Sequence, residues 1–315
     1  MISLLVCSRI QDNKNTSLTN LLDSLTDQSS DYKNFEVLIK FDDDDKGVNN
    51  VLPKLKKYPF TIKYLIEPRG RGYLDLHVFY NRVFSLANPE SGVLGAMGED
   101  FVITERGWDD LILSKTSVFP DGIFIIHGCP HPPLQRLNYE KEKFFLDYDI
   151  DKSEDIIIID EAPMWSRKLL NICGGLGHLS FTDLWTLMLE YYMYHRCGLN
   201  RTIFLERPFM KRVLNPWIDL GGNRWRTSRA QNFAYARTSF YKTLVETQAL
   251  NIFSNIKIEE LSLLPGPIPQ KTFSIEIPKL TPATFKQKLE VVAFNSLPTS
   301  LRPGLKRIHH NLFRK

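Results

Sequence analysis

Two adjacent carboxylates, Glu99 and Asp100, follow the apolar run at residues 93–97 and precede a second short run at 101–103. Carboxylates at a strand end pack poorly, yet they suit a hard divalent cation held over a phosphate; the same pair in isolation also suits a solvated turn. Thirty residues upstream, Arg69-Gly70-Arg71-Gly72 sets two guanidinium groups in a glycine-loosened loop that can grip phosphate bidentately or form an exposed turn. Asp42, Asp43, Asp44 and Asp45 repel one another and cannot all be buried. Asp42, first after its strand, is the member placed to touch a ligand. Asp183 begins a helical pattern, where a carboxylate caps unpaired amides, a role open equally to Ser180 and Thr182. His127 and His131 have Pro130 between them, so they share no helix face and suit a loop or core.

The elements that would position these groups are legible as alternating patterns. Ile2 to Cys7 predicts a buried first strand ending at Ser8 and Arg9, and Leu18, Leu21, Leu22 and Leu25 recur at helix spacing. Residues 35–41 predict a second strand, Leu52 and Leu55 a short helix, and 60–66 a third strand closing at Glu67. A helix over 73–87 carries Asn81 and Arg82, and Gly107 opens another with Trp108, Leu111 and Ile112. Strand, helix, strand, helix, strand predicts a doubly wound α/β sheet, whose ligands gather beyond the carboxyl ends of its strands. Further strands are expected at 122–128 and 156–159, and a strand or extended segment at 202–209. Helices are expected after the glycines at 174, 175 and 177, and over 239–253. No GxGxxG follows the first strand and no GxxxxGK[ST] occurs, which argues against a dinucleotide site and a P-loop.

Composition bounds the rest. With 315 residues, 43% hydrophobic, the chain can bury a large core, and no apolar run is long enough to span a bilayer. The expected location is cytoplasmic. Four scattered cysteines without a CxxC pair disfavour a disulfide scaffold or cysteine zinc site. Residues 271–315 carry nine Lys or Arg against two Glu, so a basic, Pro-punctuated tail follows a mildly acidic body. Such a tail suits a solvated end, a nucleic acid or an anionic membrane surface. Arginines mixed with Trp217, Trp225, Phe233 and Tyr235 could stack nucleic-acid bases, but no RRM, KH or zinc-finger signature accompanies them. A lid or acceptor-site reading ranks ahead.

Residues 2–192 resemble the A-type-fold nucleotide-sugar glycosyltransferases, particularly the inverting, family 2-like members. Ser8 and Arg9 after the first strand, Asp42 closing the second, and Arg69 and Arg71 leading to Asn81 and Arg82 look like that family's nucleotide surround. Gly98-Glu99-Asp100 is similar to its DxD-like metal turn, with Gly98 where the first Asp usually stands, and FVITERGWDDLI resembles the segment that follows. The resemblance implies one Rossmann-like domain over 1–255, with a nucleotide-binding half at 1–113 and an acceptor half at 114–255; beyond it, the Pro-punctuated composition of 256–315 predicts a mostly extended arm. It implies a UDP- or GDP-sugar donor and a glycan, lipid-linked or protein acceptor, as in polysaccharide biosynthesis. Mn2+ or Mg2+ on Asp100 and Glu99, inversion, and Asp183 as base are likewise implied, and the basic C-terminus would give peripheral membrane contact. A sugar nucleotidyltransferase and a non-catalytic binding or structural subunit are the alternatives.

Overall fold

Hydrophobic runs that lie buried on both faces build the centre of the molecule. The computed structural model describes residues 1–10, 17–128, 162–177, 182–205, 207–213, 235–236 and 238–256. Strands β1 (Ile2–Ser8), β2 (Phe35–Asp42), β3 (Thr61–Glu67) and β4 (Val93–Gly98) pair in parallel in the order β3-β2-β1-β4. Their connections are helices α1 (Ser17–Gln28), α2 (Val48–Leu55) and α3 (Leu76–Phe84). In α1 the buried residues are Leu18, Leu21, Leu22 and Leu25, the apolar stripe that the spacing predicts.

Beyond β4 the sheet changes direction. A short strand β5 (Phe101–Ile103) and helix α4 (Trp108–Lys115) lead to β6 (Ile125–His127) and β7 (Pro163–Ser166). β7 runs antiparallel between β4 and β6, while β8 (Thr202–Phe204) extends the sheet parallel to β6. The seven-stranded order is β3-β2-β1-β4-β7-β6-β8. Helix α5 (Arg167–Cys173) begins directly after β7, where the Ser166 side chain accepts from the Leu169 amide. It ends at Gly174 in the left-handed conformation (φ 79°). Helix α6 (Thr182–Cys197) then packs on helix α7 (Ser239–Ser254), with the Trp185 indole donating to Gln248 at 2.9 Å.

Alternation along the strands divides the core. Leu4, Val6, Val37 and Ile39 face α1 and α4, whereas Leu5, Leu38 and Leu94 face α3, α5, α6 and α7. The expected strand over 202–209 is shorter than its pattern: Phe204 ends it, and Met210–Arg212 forms a separate strand, β9, antiparallel to β5. The strand expected at 156–159, His131, Trp217, Trp225 and the arm beyond residue 256 lie outside the described residues.

Candidate functional site

Parallel pairing brings the carboxyl ends of β1, β2, β3 and β4 to one edge. Cys7 lies in register with Gly98, Ser8 with Phe41, and Asp42 with Glu67. Ser8, Arg9, Asp42, Glu99 and Asp100 therefore share the edge where ligands of open α/β sheets collect. Glu99 is folded back onto the end of β1: its carboxylate accepts from the Ser8 hydroxyl and, at 3.1 Å, from the Arg9 amide. The half-buried Cys7 thiol near the end of the same strand is pushed up by desolvation first, with Lys40 opposing and Asp42 and Glu99 adding to the rise.

Asp100 has a partner that lies far away in sequence. Its carboxylate, only 7% exposed, accepts from the Arg212 Nε at 2.6 Å, and its carbonyl accepts from the Val213 amide at 2.7 Å. Register places the arginine there, because Phe101 pairs with Arg212 across β5 and β9. Trp108 supports the same strand from below. Fully buried, it stacks on Phe209 at 5.6 Å, meets Phe35 edge-on at 5.1 Å, and donates its indole N–H to Ser29. Gly98 completes the arrangement: a Cβ there would stand 2.3 Å from Asp100 Oδ1, so an Asp at this position would collide with the carboxylate in its present pose.

The remaining predicted residues are engaged nearby. Asp42 pairs with Lys40, which is buried and lies over the Phe79 ring at 3.9 Å. Arg69 reaches Asp44 at 3.9 Å, Arg71 binds Asp75 at 2.6 Å, and Arg82 binds Glu67 at 2.7 Å. These arginine pairs are solvent-facing and hold their side chains weakly. Burial would raise Asp75, but the Arg71 side-chain and backbone hydrogen bonds outweigh it and hold its carboxyl below the usual range. Asn81 is committed to the fold: its amide nitrogen donates to the Leu176 carbonyl at 2.7 Å while its oxygen accepts from the Leu176 amide at 2.9 Å.

That double bond pins the glycine loop ahead of α6. Gly175 has φ +117°, and a Cβ there would meet Asn81 Oδ1 at 2.5 Å; a Cβ on Gly177 would meet the Trp185 ring at 2.1 Å. Asp183 follows in the first turn of α6, half-buried, with its carboxylate accepting from the Leu184 amide at 2.8 Å. Trp165 and Trp185 are both fully buried with rings 5.8 Å apart, so they belong to the core. His127 is likewise structural, its Nε2 lying 2.7 Å from Glu190 in the interior.

A divalent ion on Asp100 and Glu99 would have to share the turn with Arg212. Among the described residues, no group of three or more His, Cys, Asp or Glu is placed to hold a metal. Both carboxylates of the turn accept hydrogen bonds from the protein, and one of those donors is a cation. A doubly charged ion about 4 Å from that guanidinium would be repelled by about 8 kcal/mol at an effective dielectric constant near 20. Each carboxylate of the turn would attract the same ion by a similar amount at that distance, so a divalent ion on Asp100 would compete with Arg212 for its carboxylate.

Comparison with solved structures assigns the fold. The mannosyltransferase PcManGT from Pyrobaculum calidifontis, in complex with GDP-Man and Mn2+, superposes with a TM-score of 0.52 at 17% identity, covering 81% of this chain and 70% of that one. S. aureus TarS 1–349 matches with a TM-score of 0.47 at 15% identity, over 82% of this chain and 76% of its own. The chain thus has the A-type fold of nucleotide-sugar glycosyltransferases, with a mostly parallel central sheet. At these identities the likeness is one of fold. No protein-family model and no curated protein matches the sequence. No described helix is long and apolar enough to cross a membrane.

Proposed function

We propose that the protein is a glycosyltransferase that moves a sugar from a nucleoside-diphosphate donor to an acceptor hydroxyl, with inversion. The observation that carries this reading is the gathering of Ser8, Arg9, Asp42, Glu99 and Asp100 at one edge of the sheet, on a fold shared with a mannosyltransferase solved with GDP-Man. A UDP- or GDP-sugar is the donor class, and a glycan, a lipid-linked sugar or a protein hydroxyl is the acceptor class. The acceptor oxygen bonds to the anomeric carbon as the carbon–phosphate-oxygen bond breaks. The acceptor proton passes to Asp183, and the nucleoside diphosphate leaves. Asp183 suits this task because it stands at the start of a helix whose preceding loop is held by Asn81 and Trp185. Arg9 and the arginines of the 69–82 segment provide charge for the leaving diphosphate.

The test is Asp183→Asn. Turnover of the donor–acceptor pair is expected to fall by about 100-fold or more, the span of a lost general base, while calorimetry shows nucleotide affinity within about threefold of the parent. Loss of both together would remove Asp183 from the role of base. The basic arm gives a second proposal, attachment to anionic lipid near a lipid-linked acceptor, for which the nine Lys or Arg of residues 271–315 are the support.

A further inference from the structure

Helix α3 meets three separate parts of the molecule through three consecutive side chains. Successive residues of a helix point about 100° apart, so Phe79, Tyr80 and Asn81 reach different neighbours. The centre of the Phe79 ring lies 3.9 Å from the Lys40 ammonium that pairs with Asp42 at the end of β2. The Tyr80 hydroxyl donates at 3.3 Å to the carbonyl of Met97, one residue before Gly98 and the acidic turn. Asn81 reaches away from both, to the glycine loop, and bonds the two backbone groups of Leu176.

The Asn81 amide has little left to give a ligand. Its two N–H groups face the His77 carbonyl at 2.8 Å and the Leu176 carbonyl at 2.7 Å, while its oxygen accepts from the Leu176 amide at 2.9 Å. Phosphate oxygens only accept, so while this clamp stands Asn81 has no N–H to offer a diphosphate. Gly175 closes the clamp from the loop side, since a Cβ there would meet Asn81 Oδ1 at 2.5 Å. Contact then runs on to the helix that carries Asp183. Gly177 lies against Trp185, in the first turn of α6, and the Trp185 indole donates to Gln248, which in turn donates to the Cys173 carbonyl at 2.8 Å.

Resting on the glycosyl-transfer reading above, we propose that Asn81 is a positioning residue for the acceptor side of the reaction and makes no contact with the nucleotide. Through it α3 sets the span between the donor edge, where Phe79 and Tyr80 are seated, and the first turn of α6, where Asp183 stands. The amide whose surroundings resemble a nucleotide contact serves the proton acceptor instead.

The experiment compares the full chain with Asn81→Ala, Gly175→Ala and the two combined. UDP and GDP are titrated by calorimetry with and without Mn2+, and release of UDP or GDP from the common UDP- and GDP-sugars is followed with water as the acceptor. Asn81→Ala is expected to lower kcat by about tenfold to 100-fold, the upper figure being the loss when a reacting group is misplaced by about 1 Å. Nucleotide affinity and donor KM are expected to stay within about threefold of the parent. Gly175→Ala breaks the clamp from the loop side and is expected to give the same split, and the double variant to lose no more than the larger single loss. Nucleotide affinity weakened about tenfold in Asn81→Ala and unchanged in Gly175→Ala returns Asn81 to the nucleotide and overturns the assignment. An Asn81→Ala variant whose kcat matches the parent's also overturns it, because the clamp then serves stability alone. Failure of the folded parent both to bind UDP or GDP and to consume any of the donors overturns the transfer reading itself. Thermal melts accompany each variant, and if Asn81→Ala does not fold, Gly175→Ala decides.

Discussion

Asn81 shows how a side chain with the right chemistry can be spent on architecture. The sequence displays an amide beside an arginine within a helix and, by the family resemblance, suggests a nucleotide contact. In the fold its donor and acceptor both close on Leu176, 95 residues away. Nothing local reveals that partner, because the contact depends on where α5 ends. Asn81→Ala strands two backbone groups of a part-buried loop and is expected to cost about 1–3 kcal/mol, read as a lower midpoint in urea with unchanged slope. Asp100 is the opposite case. Its ligand-edge position followed from the strand pattern, but its arginine did not, since Met210–Arg212 is too short to carry any periodicity. Trp165 and Trp185, which could have offered flat faces to a sugar, are fully buried and serve the core.

At the scale of elements, the acidic-turn block is held by α4, and α4 is held by Asp109. This buried carboxylate accepts from the Ser30 amide at 2.8 Å, the Asp31 amide at 3.0 Å and the Asn34 side chain at 2.9 Å. Burial would raise its pKa, yet those hydrogen bonds outweigh it, so its folded value lies below its ordinary 3.8. The sign follows: its contribution is fully present above its ordinary range and is lost as pH falls through the lowered folded value. Asp109→Asn is expected to lower the melting temperature near neutral pH and to narrow its gap from the parent below about pH 4. A gap unchanged with pH would show that Asp109 acts by shape alone. Helices α1 and α3 and strands β1 to β4 were legible because each has a complete period. The split of 163–173 into β7 and α5 was not, since an apolar stretch interrupted by Arg167 and Lys168 suits either element.

For the whole molecule, the α/β architecture and the ligand edge could be read from alternating strands and helices, while the sheet's reversal at β7 could not. Periodicity reports which residues are buried and says nothing of strand direction. If the edge binds nucleotide, the fold as a unit should register it: UDP or GDP at about 100 times its dissociation constant is expected to add about 2.7 kcal/mol, visible as a rise of several degrees in the melting temperature. A nucleotide that binds in calorimetry without moving the melt would place its site outside the cooperative core. The reversed strand also settles a matter of routing. β7 starts beside His127 at the ligand edge and finishes beside Val93 at the far edge, so α5 has to travel back. Had β7 run the other way, the chain would have finished beside the ligand with a helix leading away from it. One change of strand direction thus lets a helix of only seven residues carry the chain back toward the Asn81-bound loop that precedes Asp183.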